Sequence, residues 1–540
     1  MEQAYIKVYT REPQKLGYPK GLAYSVHMAC CPEDGEFQAL NKNYGILFAL
    51  GVISENNTII PMALKNPRIA VLEEEYGILA QRVLENGEED SESIGKLLLW
   101  TTKDFICFEE KGLVDAENFA RYPSESCIPV DAAVAKQALQ YWSPVVNTGI
   151  KLPKQVEASS AKEITDVRAL AVYNDGSTAE KRVSWETGSI DFSKAGTYSI
   201  KGRISQIKFP FPLAKGYGDP VIFPWEGKWY YISTNDNTND IGLYAREADT
   251  VEGLFADGVT EHLILAQDER RQLMQTFWAP EFHVIGGELY ILFAVSGNQW
   301  GPQCHVMKLK NGGSIIGADG WEDPIRVVRA DGSTLAPGAI TLDMTYVKTE
   351  RQAYMVWSQR VGIGTPRDTG SMLYIATVDE QNPWRLTGEP VLLSRPLYGW
   401  ENVDGTINNE GPYVFQRNGK VYLCYSGGSA NGYTYTIGLL TAAANEDLTD
   451  VSVWTKRGTP VVSFYSVKGE YGPGHNSFYE DEEGNLMIAY HGELGLEEHL
   501  RCDGIRRIHF AKTGEPVFDM SADEDLEESL REVNLQVVVK

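Results

Sequence analysis

The most regular pattern in the chain is an apolar run, a tight polar turn and a second apolar run, and it recurs five times. The paired runs are 220–223 with 229–232, 280–284 with 289–293, 344–347 with 353–357, 412–415 with 421–425, and 476–479 with 486–490. Aromatic and β-branched residues fill the runs, and Gly, Asn, Asp and Glu fill the turns. Each copy therefore predicts a β-hairpin.

A further strand signal follows each hairpin, at 241–245, 304–307, 373–376, 435–440 and 505–510. The positions just before the hairpins, Asp219, Ala279, Thr341, Glu410 and His475, recur at intervals of about 60 to 70 residues. Sheets of about four strands at a near-constant period indicate radial repetition. The pattern therefore predicts a five-bladed β-propeller over 206–515, since a β-sandwich would not repeat so evenly.

Residues 1–150 carry less regular apolar runs, at 44–49, 76–80, 96–100 and 104–108. We interpret them as strand pairs of one or two sheets in a β-rich accessory domain. An alanine-rich stretch at 130–139 predicts a short helix with Asp131 near its start as the cap. No pair of carboxylates, metal ligands or nucleophile and base stands out in this region.

A compact segment of different character occupies 151–205. A strand signal runs into the turn residues Asn174, Asp175 and Gly176, which tolerate positive φ, and short strands are predicted at 183–186 and 196–202. The YNDGS turn, the VSW strand and DFSKAGTYSIKG resemble a bacterial Ig-like domain. The resemblance implies a β-sandwich that serves as a spacer or packing module.

The tail, 516–540, begins acidic and ends in an alternating stretch. Val533, Leu535 and Val537 alternate with Asn534 and Gln536, which predicts a strand that pairs back onto another domain. The sequence therefore predicts an all-β protein with an N-terminal accessory domain, an Ig-like domain, a five-bladed propeller and this tail.

Composition narrows the partners. The 74 acidic residues against 49 basic ones give a formal charge of −25, which disfavours nucleic acid and anionic membranes and leaves a small neutral oligosaccharide unaffected. The N-terminal residues lack a basic segment followed by an apolar one, and no apolar run approaches membrane-spanning length. The seven cysteines show no CxxC motif and no disulfide spacing. We predict from these features a cytoplasmic protein with free thiols.

The predicted propeller gives the positions before the hairpins a common location. The innermost strands of all blades run beside the central channel, so Asp219, Trp278, Asp343, Glu410 and His475 are expected at one mouth, with Glu281 close by. Paired carboxyl groups are the equipment of an inverting glycosidase, in which one group activates water and the other protonates the leaving oxygen across about 6.5 to 9.5 Å. A third carboxylate nearby raises the pKa of the acid by like-charge repulsion. Trp278 supplies an apolar face for a sugar ring.

Five ordered motifs over about 300 residues make the chain similar to family 43 of the glycoside hydrolases. They are GDPVIFPWEGKWYYIST, FWAPEFHVIGGELYILFA, LDMTYV, NNEGPYVFQRNGKVYLCYS and GPGHNSFYEDEEGNLMIAYHG. The resemblance implies a five-bladed propeller and an inverting mechanism. By motif, Asp219 resembles the general base, Glu410 the general acid and Asp343 the group that orients the acid and modulates its pKa.

The resemblance also implies that His475 coordinates a calcium or other ion in the central channel, directly or through water, and that no organic cofactor is needed. One imidazole does not make a calcium site without oxygen partners, so a packed core histidine is the alternative. Trp278 is expected to flank the sugar or else to fill space between blades. Arg506 is expected to reach a sugar hydroxyl or a carboxylate, with a solvated strand arginine as the alternative. His283 and His305 fall within predicted strands and are most simply structural.

These observations predict removal of terminal α-L-arabinofuranosyl residues from plant-type oligosaccharides, with β-xylosidase activity as the alternative. A catalytically inactive carbohydrate-binding propeller is the competing class, although such a module has no need of all three carboxylates. A glycan phosphorylase would need a cluster of basic residues for phosphate, and the predicted channel offers none.

Overall fold

The structure is a computed structural model that describes residues 3–32 and 35–540. Strands hold 47% of the residues and helices 10%, so the protein is all-β, as the pattern predicts. The chain forms two compact units. Unit 1 comprises Met1–Trp142, Phe211–Tyr479 and Ala489–Ile505, and unit 2 comprises Ser143–Pro210, Glu480–Ile488 and Arg506–Lys540. The four domain boundaries given above stay a prediction.

The N-terminal part of unit 1 contains two larger sheets and a small hairpin. Its strands are β1 (Gln3–Tyr9), β2 (His27–Cys31), β3 (Gln38–Ala39), β4 (Val52–Ile53), β5 (Ile59–Ile60), β6 (Met62–Val71), β7 (Tyr76–Leu84), β8 (Lys96–Thr102), β9 (Glu109–Asp115), β10 (Ser124–Glu125) and β11 (Cys127–Asp131). Its helices are α1 (Lys20–Ala23), α2 (Ala116–Phe119) and α3 (Ala132–Trp142). The sheet orders are β11-β1-β2-β3, β10-β6-β7-β8-β9 and β4-β5.

The structure confirms some of the local predictions in this part and contradicts others. Strands at 76–80 and 96–100 and the helix are confirmed, and Asp131 accepts a hydrogen bond from the Ala133 N–H at 2.7 Å. The strand predicted at 104–108 is wrong, because the Asp104 carboxylate accepts from the N–H groups of Ile106 and Cys107 and closes a turn.

The strand predicted at 44–49 is also wrong. Its residues form only an isolated bridge, between Val26 and Leu47. Tyr44 and Phe48 are buried in an apolar cluster with Trp400 and Phe464 of the same unit. Tertiary packing therefore produced an apolar run that resembles a strand.

Residues 147–204 of unit 2 form the strands predicted for 151–205. They are β12 (Asn147–Lys151), β13 (Gln155–Glu157), β14 (Ala169–Tyr173), β15 (Thr178–Lys181), β16 (Val183–Trp185) and β17 (Gly196–Ile204), with helix α4 (Ala161–Thr165). The predicted turn at 174–177 joins β14 to β15. One sheet has the order β12-β14-β15.

Between Tyr217 and Arg507, where every residue is described, five sheets follow one another in chain order. The strands are β18 (Tyr217–Trp225), β19 (Lys228–Asn235), β20 (Leu243–Ala248) and β21 (His262–Leu265); β22 (Gln275–Ile285), β23 (Glu288–Ser296), β24 (Gln303–Lys308) and β25 (Ile325–Arg326); β26 (Ala339–Lys348), β27 (Ala353–Val361), β28 (Met372–Val378) and β29 (Val391–Ser394); β30 (Glu410–Arg417), β31 (Lys420–Gly427), β32 (Thr436–Ala443) and β33 (Thr455–Lys456); and β34 (Tyr471–Glu480), β35 (Leu486–Glu493) and β36 (Arg501–Arg507). The predicted hairpins are the first two strands of each sheet.

The first strand of each sheet contains a residue with positive φ near its middle or start, and the register of the first four hairpins shifts there. These bulge residues are Asp219 (59°), Ala279 (45°), Asp343 (53°), Gly411 (56°) and His475 (43°). Strands β22 and β34 each contain a second residue with positive φ, Thr276 and Gly472. A bulge bends the strand and re-aims its side chains. Asp343 and Gly411, rather than the aligned Thr341 and Glu410, are therefore the structurally equivalent positions.

Side chains satisfy the N–H groups of four bulge residues and connect the sheets. The Ala279 N–H donates to Thr234 Oγ1 at 2.8 Å, Gly411 to Asp343 Oδ2 at 3.1 Å, His475 to Ser426 Oγ at 2.8 Å, and Asp219 to His491 Nδ1 at 3.1 Å. The last bond joins the fifth sheet to the first, as does Ser477 Oγ, which donates to the Pro220 carbonyl at 2.7 Å.

The C-terminal segment completes unit 2 with β37 (His509–Phe510), β38 (Pro516–Val517), α5 (Ala522–Asp525) and β39 (Glu532–Val539). Strand β39 is the central member of a sheet with the order β13-β39-β17-β16, antiparallel to β17 and parallel to β13. Val533, Leu535, Val537 and Val539 are buried there. The prediction of a tail strand that pairs back is confirmed.

Candidate active site

The bulges of the first and third sheets bury two of the predicted catalytic carboxylates. Asp219 is 6% exposed and Asp343 is 2% exposed. Glu410 begins β30, one residue before its bulge residue. Charge interactions link all three carboxyl groups to one another and to His475. The structure thus brings Asp219, Asp343, Glu410 and His475 together.

Asp219 is held by basic side chains and one hydroxyl. His475 Nδ1 lies 3.0 Å from Asp219 Oδ1, the Arg501 guanidinium lies 3.2 Å from the same oxygen, and Thr234 donates to Oδ2 at 2.5 Å. Burial by itself would raise the pKa of Asp219, but His475 and Arg501 outweigh it and hold that pKa well below its usual range. Asp219 is therefore an ionised, hydrogen-bonded carboxylate.

Glu410 has the opposite environment. Burial first, and then the charge of Asp343, raise the pKa of Glu410 to about 7, although His475 and the Tyr435 hydroxyl act against them. The hydroxyl of Tyr435 donates to Glu410 Oε1 at 3.0 Å. Burial, with the charge of Asp219, also raises the pKa of Asp343. Glu410 is therefore a carboxylic acid able to hold a proton near neutral pH.

His475 lies in the middle of these groups. Burial by itself would lower its pKa, but Asp219, Asp343, Glu410 and Glu281 surround it and raise the pKa above its usual value. Within residues 3–32 and 35–540, no three His, Cys, Asp or Glu side chains are arranged to hold a metal ion. These residues do not fit a metal centre built from protein ligands, and calcium at His475 stays a prediction.

Trp278 and Arg506 lie on different strands, β22 and β36. Trp278 is half-buried in β22 and its side chain hydrogen-bonds to Asp240, a carboxyl group whose pKa burial raises. Arg506 is 8% exposed and belongs to unit 2, near the end of β36. The arginine that contacts Asp219 is Arg501, the first residue of the same strand. A binding role for Trp278 or Arg506 stays a prediction.

The sequence reasoning missed three residues of the site, namely Arg501, His491 and Tyr435. Arg501 was missed because the strand begins at 501, four residues before the predicted signal. The residue in the sequence that is tied to Arg501 is Gly218, because an added Cβ at Gly218 would overlap the Arg501 guanidinium. His491 follows the last residue of one predicted hairpin and Tyr435 begins one predicted strand, and neither position carried a charge pattern.

His283 and His305 lie in strands, as predicted. His283 Nε2 is 2.6 Å from Glu281 Oε2, and His305 Nδ1 is 2.8 Å from the Gln303 carbonyl. Burial lowers the pKa of His305 to about 4, so this imidazole is neutral. Both have structural partners.

The fold and the site define a hydrolase with two carboxyl groups of opposite protonation preference. Residues 212–516 match the model of the glycosyl hydrolases family 43, and residues 169–207 match that of a bacterial Ig-like domain. The first match covers more than half of the chain. The protein belongs to glycosyl hydrolases family 43 and carries an Ig-like domain.

Curated relatives are about one third identical to the chain over the residues that align. The extracellular exo-α-(1→5)-L-arabinofuranosidase of Streptomyces avermitilis is 32% identical over 322 residues, which are 58% of this chain and 63% of that protein. An enzyme of the same description from Streptomyces chartreusis is 32% identical over 282 residues, 52% of this chain and 81% of that protein. The chain thus spans less than two thirds of the first relative.

A solved structure is also similar. The α-L-arabinofuranosidase from Lactobacillus brevis aligns with a TM-score of 0.50 and 28% identity, over 57% of this chain and 95% of that one. The alignment therefore includes nearly the whole of the solved enzyme.

The predicted cytoplasmic location is wrong. Both Streptomyces relatives are named as extracellular enzymes, and this finding overturns a prediction that rested on the N-terminal residues and the cysteines. All seven cysteines are free, but Cys30, Cys304, Cys424 and Cys502 are buried, so their thiols say little about the redox compartment. Among the described residues, no helix combines the length and apolar composition needed to cross a membrane.

Proposed function

We propose that the protein is an exo-acting, inverting α-L-arabinofuranosidase that acts outside the cell on small neutral arabino-oligosaccharides. The carrying observation is a pair of carboxyl groups with opposite pKa shifts, the pKa of the buried Asp219 well below its usual range and the pKa of the half-buried Glu410 at about 7. Pairs of carboxyl groups driven apart in this way are the mark of acid and base partners. The names of the Streptomyces and Lactobacillus relatives support the sugar.

We propose a five-bladed propeller as the architecture of the catalytic part. Five sheets in chain order, equivalent bulges in their first strands, and bonds from the fifth sheet back to the first support it. For unit 2, an Ig-like sandwich is supported by two sheets whose buried residues form one cluster: Ala169 of β14 in one sheet packs with Val183, Ile204 and Val533 of β16, β17 and β39 in the other.

In the proposed mechanism, Asp219 accepts a proton from a water molecule that attacks the anomeric carbon. Glu410 gives its proton to the glycosidic oxygen while the bond from that oxygen to the anomeric carbon breaks. One water is consumed, Asp219 ends protonated, Glu410 ends ionised, and solvent restores both. Attack on the face opposite the leaving group inverts the configuration.

The supporting residues have defined parts. Asp343 holds the Gly411 N–H next to Glu410 and raises the pKa of the acid by its charge. His475 and Arg501 keep Asp219 ionised. Trp278 offers the sugar an apolar face. No step is assigned to a metal ion.

The test is a panel of 4-nitrophenyl glycosides with product stereochemistry followed by NMR. We expect the α-L-arabinofuranoside to be the best substrate and to release β-L-arabinose first. A preference for the β-D-xylopyranoside would establish the xylosidase alternative instead, and retention of configuration would refute the water-activating role of Asp219.

Glu410→Gln separates an enzyme from a binding protein. We expect turnover to fall by at least about 100-fold, because general acid catalysis is lost, while calorimetric binding of arabinotriose persists. Glu389→Gln, at a carboxylate whose side chain is 81% exposed, is the matched control and should match the wild type. Undiminished turnover in Glu410→Gln would refute the acid assignment.

A further inference from the structure

Two aromatic rings lie between the proposed base and the proposed acid. Tyr435 and His491 stack with centroids 5.4 Å apart and planes 14° from parallel. Tyr435 immediately precedes β32 of the fourth sheet, and His491 belongs to β35 in the fifth sheet. Both residues are fully buried. Neither has a part in the mechanism given above.

Each ring makes polar contact with one catalytic residue. The Tyr435 hydroxyl donates to Glu410 Oε1 at 3.0 Å. His491 Nδ1 accepts the N–H of Asp219 at 3.1 Å, which requires a neutral ring, and it also lies 3.3 Å from Asp219 Oδ1. Burial lowers the pKa of His491 and so favours this neutral form. The bond to His491 satisfies a buried N–H at a strained bulge residue.

The surrounding backbone leaves room for this arrangement. Gly474 lies in β34 immediately before the bulge residue His475, and a Cβ at Gly474 would overlap the Tyr435 ring. The ring is therefore confined between Gly474 on β34 and His491 on β35. A confined ring fixes its hydroxyl more closely than a mobile one, since fewer rotamers remain.

We propose that Tyr435 and His491 form a stacked positioning pair that sets the orientation of both catalytic groups, Tyr435 that of Glu410 and His491 that of Asp219. Stacking couples the two, because a shift of either ring displaces the other. The pair connects residues on or beside the first, fourth and fifth sheets, and among residues 3–32 and 35–540 no strand ladder joins these three sheets. This proposal rests on the proposed roles of Glu410 and Asp219.

The leaving-group dependence of turnover distinguishes positioning of the acid from a general structural effect. Tyr435→Phe keeps the ring and its stack but removes the bond to Glu410. A misdirected acid matters most when the leaving oxygen needs a proton, so we expect turnover of arabinobiose to fall by about tenfold or more. Turnover of the 2,4-dinitrophenyl arabinofuranoside, whose leaving group needs no proton, should fall less than about threefold.

Tyr425→Phe is the matched control. Tyr425 is a fully buried tyrosine of the same sheet, and its hydroxyl also donates to a glutamate, Glu401 at 2.8 Å. Glu401 has no proposed catalytic part, so any loss in this variant should be equal for the two substrates. An equal loss in Tyr435→Phe as well would overturn the role of Tyr435.

His491 is tested by loss and rescue. His491→Phe keeps a ring for the stack but leaves the Asp219 N–H without an acceptor, and we expect kcat to fall by about tenfold or more for both substrates. His491→Asn places an amide oxygen where Nδ1 lies and should restore most of that loss. Failure of Asn to rescue, in a variant with wild-type thermal unfolding, would overturn the role of His491.

The two proposals fail in different ways. If Glu410→Gln retained its turnover, the acid assignment itself would be wrong. If Glu410→Gln were inactive and Tyr435→Phe showed no leaving-group dependence, the function would stand and the positioning pair would fall.

Discussion

At the scale of single residues, the site is an arrangement of opposite charges held close together. Asp219 lies against His475 and Arg501, and Arg501 also binds Asp236 through Nε at 2.9 Å. An unpaired buried charge would be costly, so each group is paired with the opposite charge or protonated. The charges around Asp219 and Glu410 keep one ionised and the other protonated. Substitutions of their partners should therefore shift opposite limbs of the pH profile of kcat/KM.

Replacing Arg501 should move the acidic limb. The guanidinium lowers the pKa of Asp219, so Arg501→Met should raise it, and the base should become protonated at a higher pH. The acidic limb of kcat/KM is then expected to shift to higher pH. Arg501→Lys keeps a charge without the planar fork and should shift the limb less. An unmoved acidic limb in Arg501→Met would contradict this account of Asp219.

Replacing Asp343 should move the alkaline limb. Its charge helps to raise the pKa of Glu410 to about 7, so Asp343→Asn should lower that pKa and make the acid lose its proton at a lower pH. The alkaline limb of kcat/KM is expected to shift to lower pH, as measured from pH 5 to 9. Asp379→Asn, at an exposed turn of the same sheet, is the control and should leave the limb in place.

At the scale of elements, the bulge is the device that each first strand repeats. Positive φ costs a residue with a side chain about 1–2 kcal/mol, and four of the five bulge positions nevertheless carry one. Three of these four, Asp219, Asp343 and His475, belong to the site. Ala279 has no proposed chemical part, and its strain should therefore be removable.

Ala279→Gly tests this cost. Glycine adopts positive φ freely, so this variant should be at least about 1 kcal/mol more stable than Ala294→Gly. Ala294 is a buried alanine on the neighbouring strand, opposite Trp278, and loses the same methyl group. The measurement is the free energy of unfolding in urea. Equal destabilisation by the two substitutions would show that the bulge at Ala279 stores no strain.

At the scale of the whole molecule, each unit is assembled from segments distant in the chain. Unit 2 depends on its last strand, since β39 pairs with β17 along Gly196 to Arg203. Asp525 of the same unit is buried and accepts from Lys181 at 2.6 Å and Tyr173 at 2.7 Å. The C-terminal residues are therefore part of the domain core.

Truncation after Arg531 should unfold unit 2. It removes the buried residues Val533, Leu535, Val537 and Val539, each worth about 1.5–3 kcal/mol, and exposes the edge of β17. We expect rapid proteolysis within 143–210, followed by mass spectrometry. The milder Leu535→Ala, with an expected cost of about 2–5 kcal/mol, should be intermediate. Unchanged protease resistance would contradict a core role for β39.

The repeated hairpins, the Ig-like strands and the tail strand were all predictable, because each depends on neighbours within a few residues. Apolar alternation and turn residues specify a hairpin locally. The same reasoning failed at 44–49 and 104–108. There a tertiary cluster around Tyr44 and an aspartate turn at Asp104 produced apolar runs without strands.

The candidate site was likewise predictable only in part. Asp219, Asp343, Glu410 and His475 were predictable as a group, since each lies at or beside the start of a repeated strand and departs from the repeat. The protonation state of each group was not predictable, because the partners that decide it come from far along the chain. Arg501, for example, is 282 positions from Asp219. Burial and the field of such partners arise only when the sheets pack. Chain-local pattern therefore encodes the blades and the candidate residues, while packing sets their charges and their chemistry.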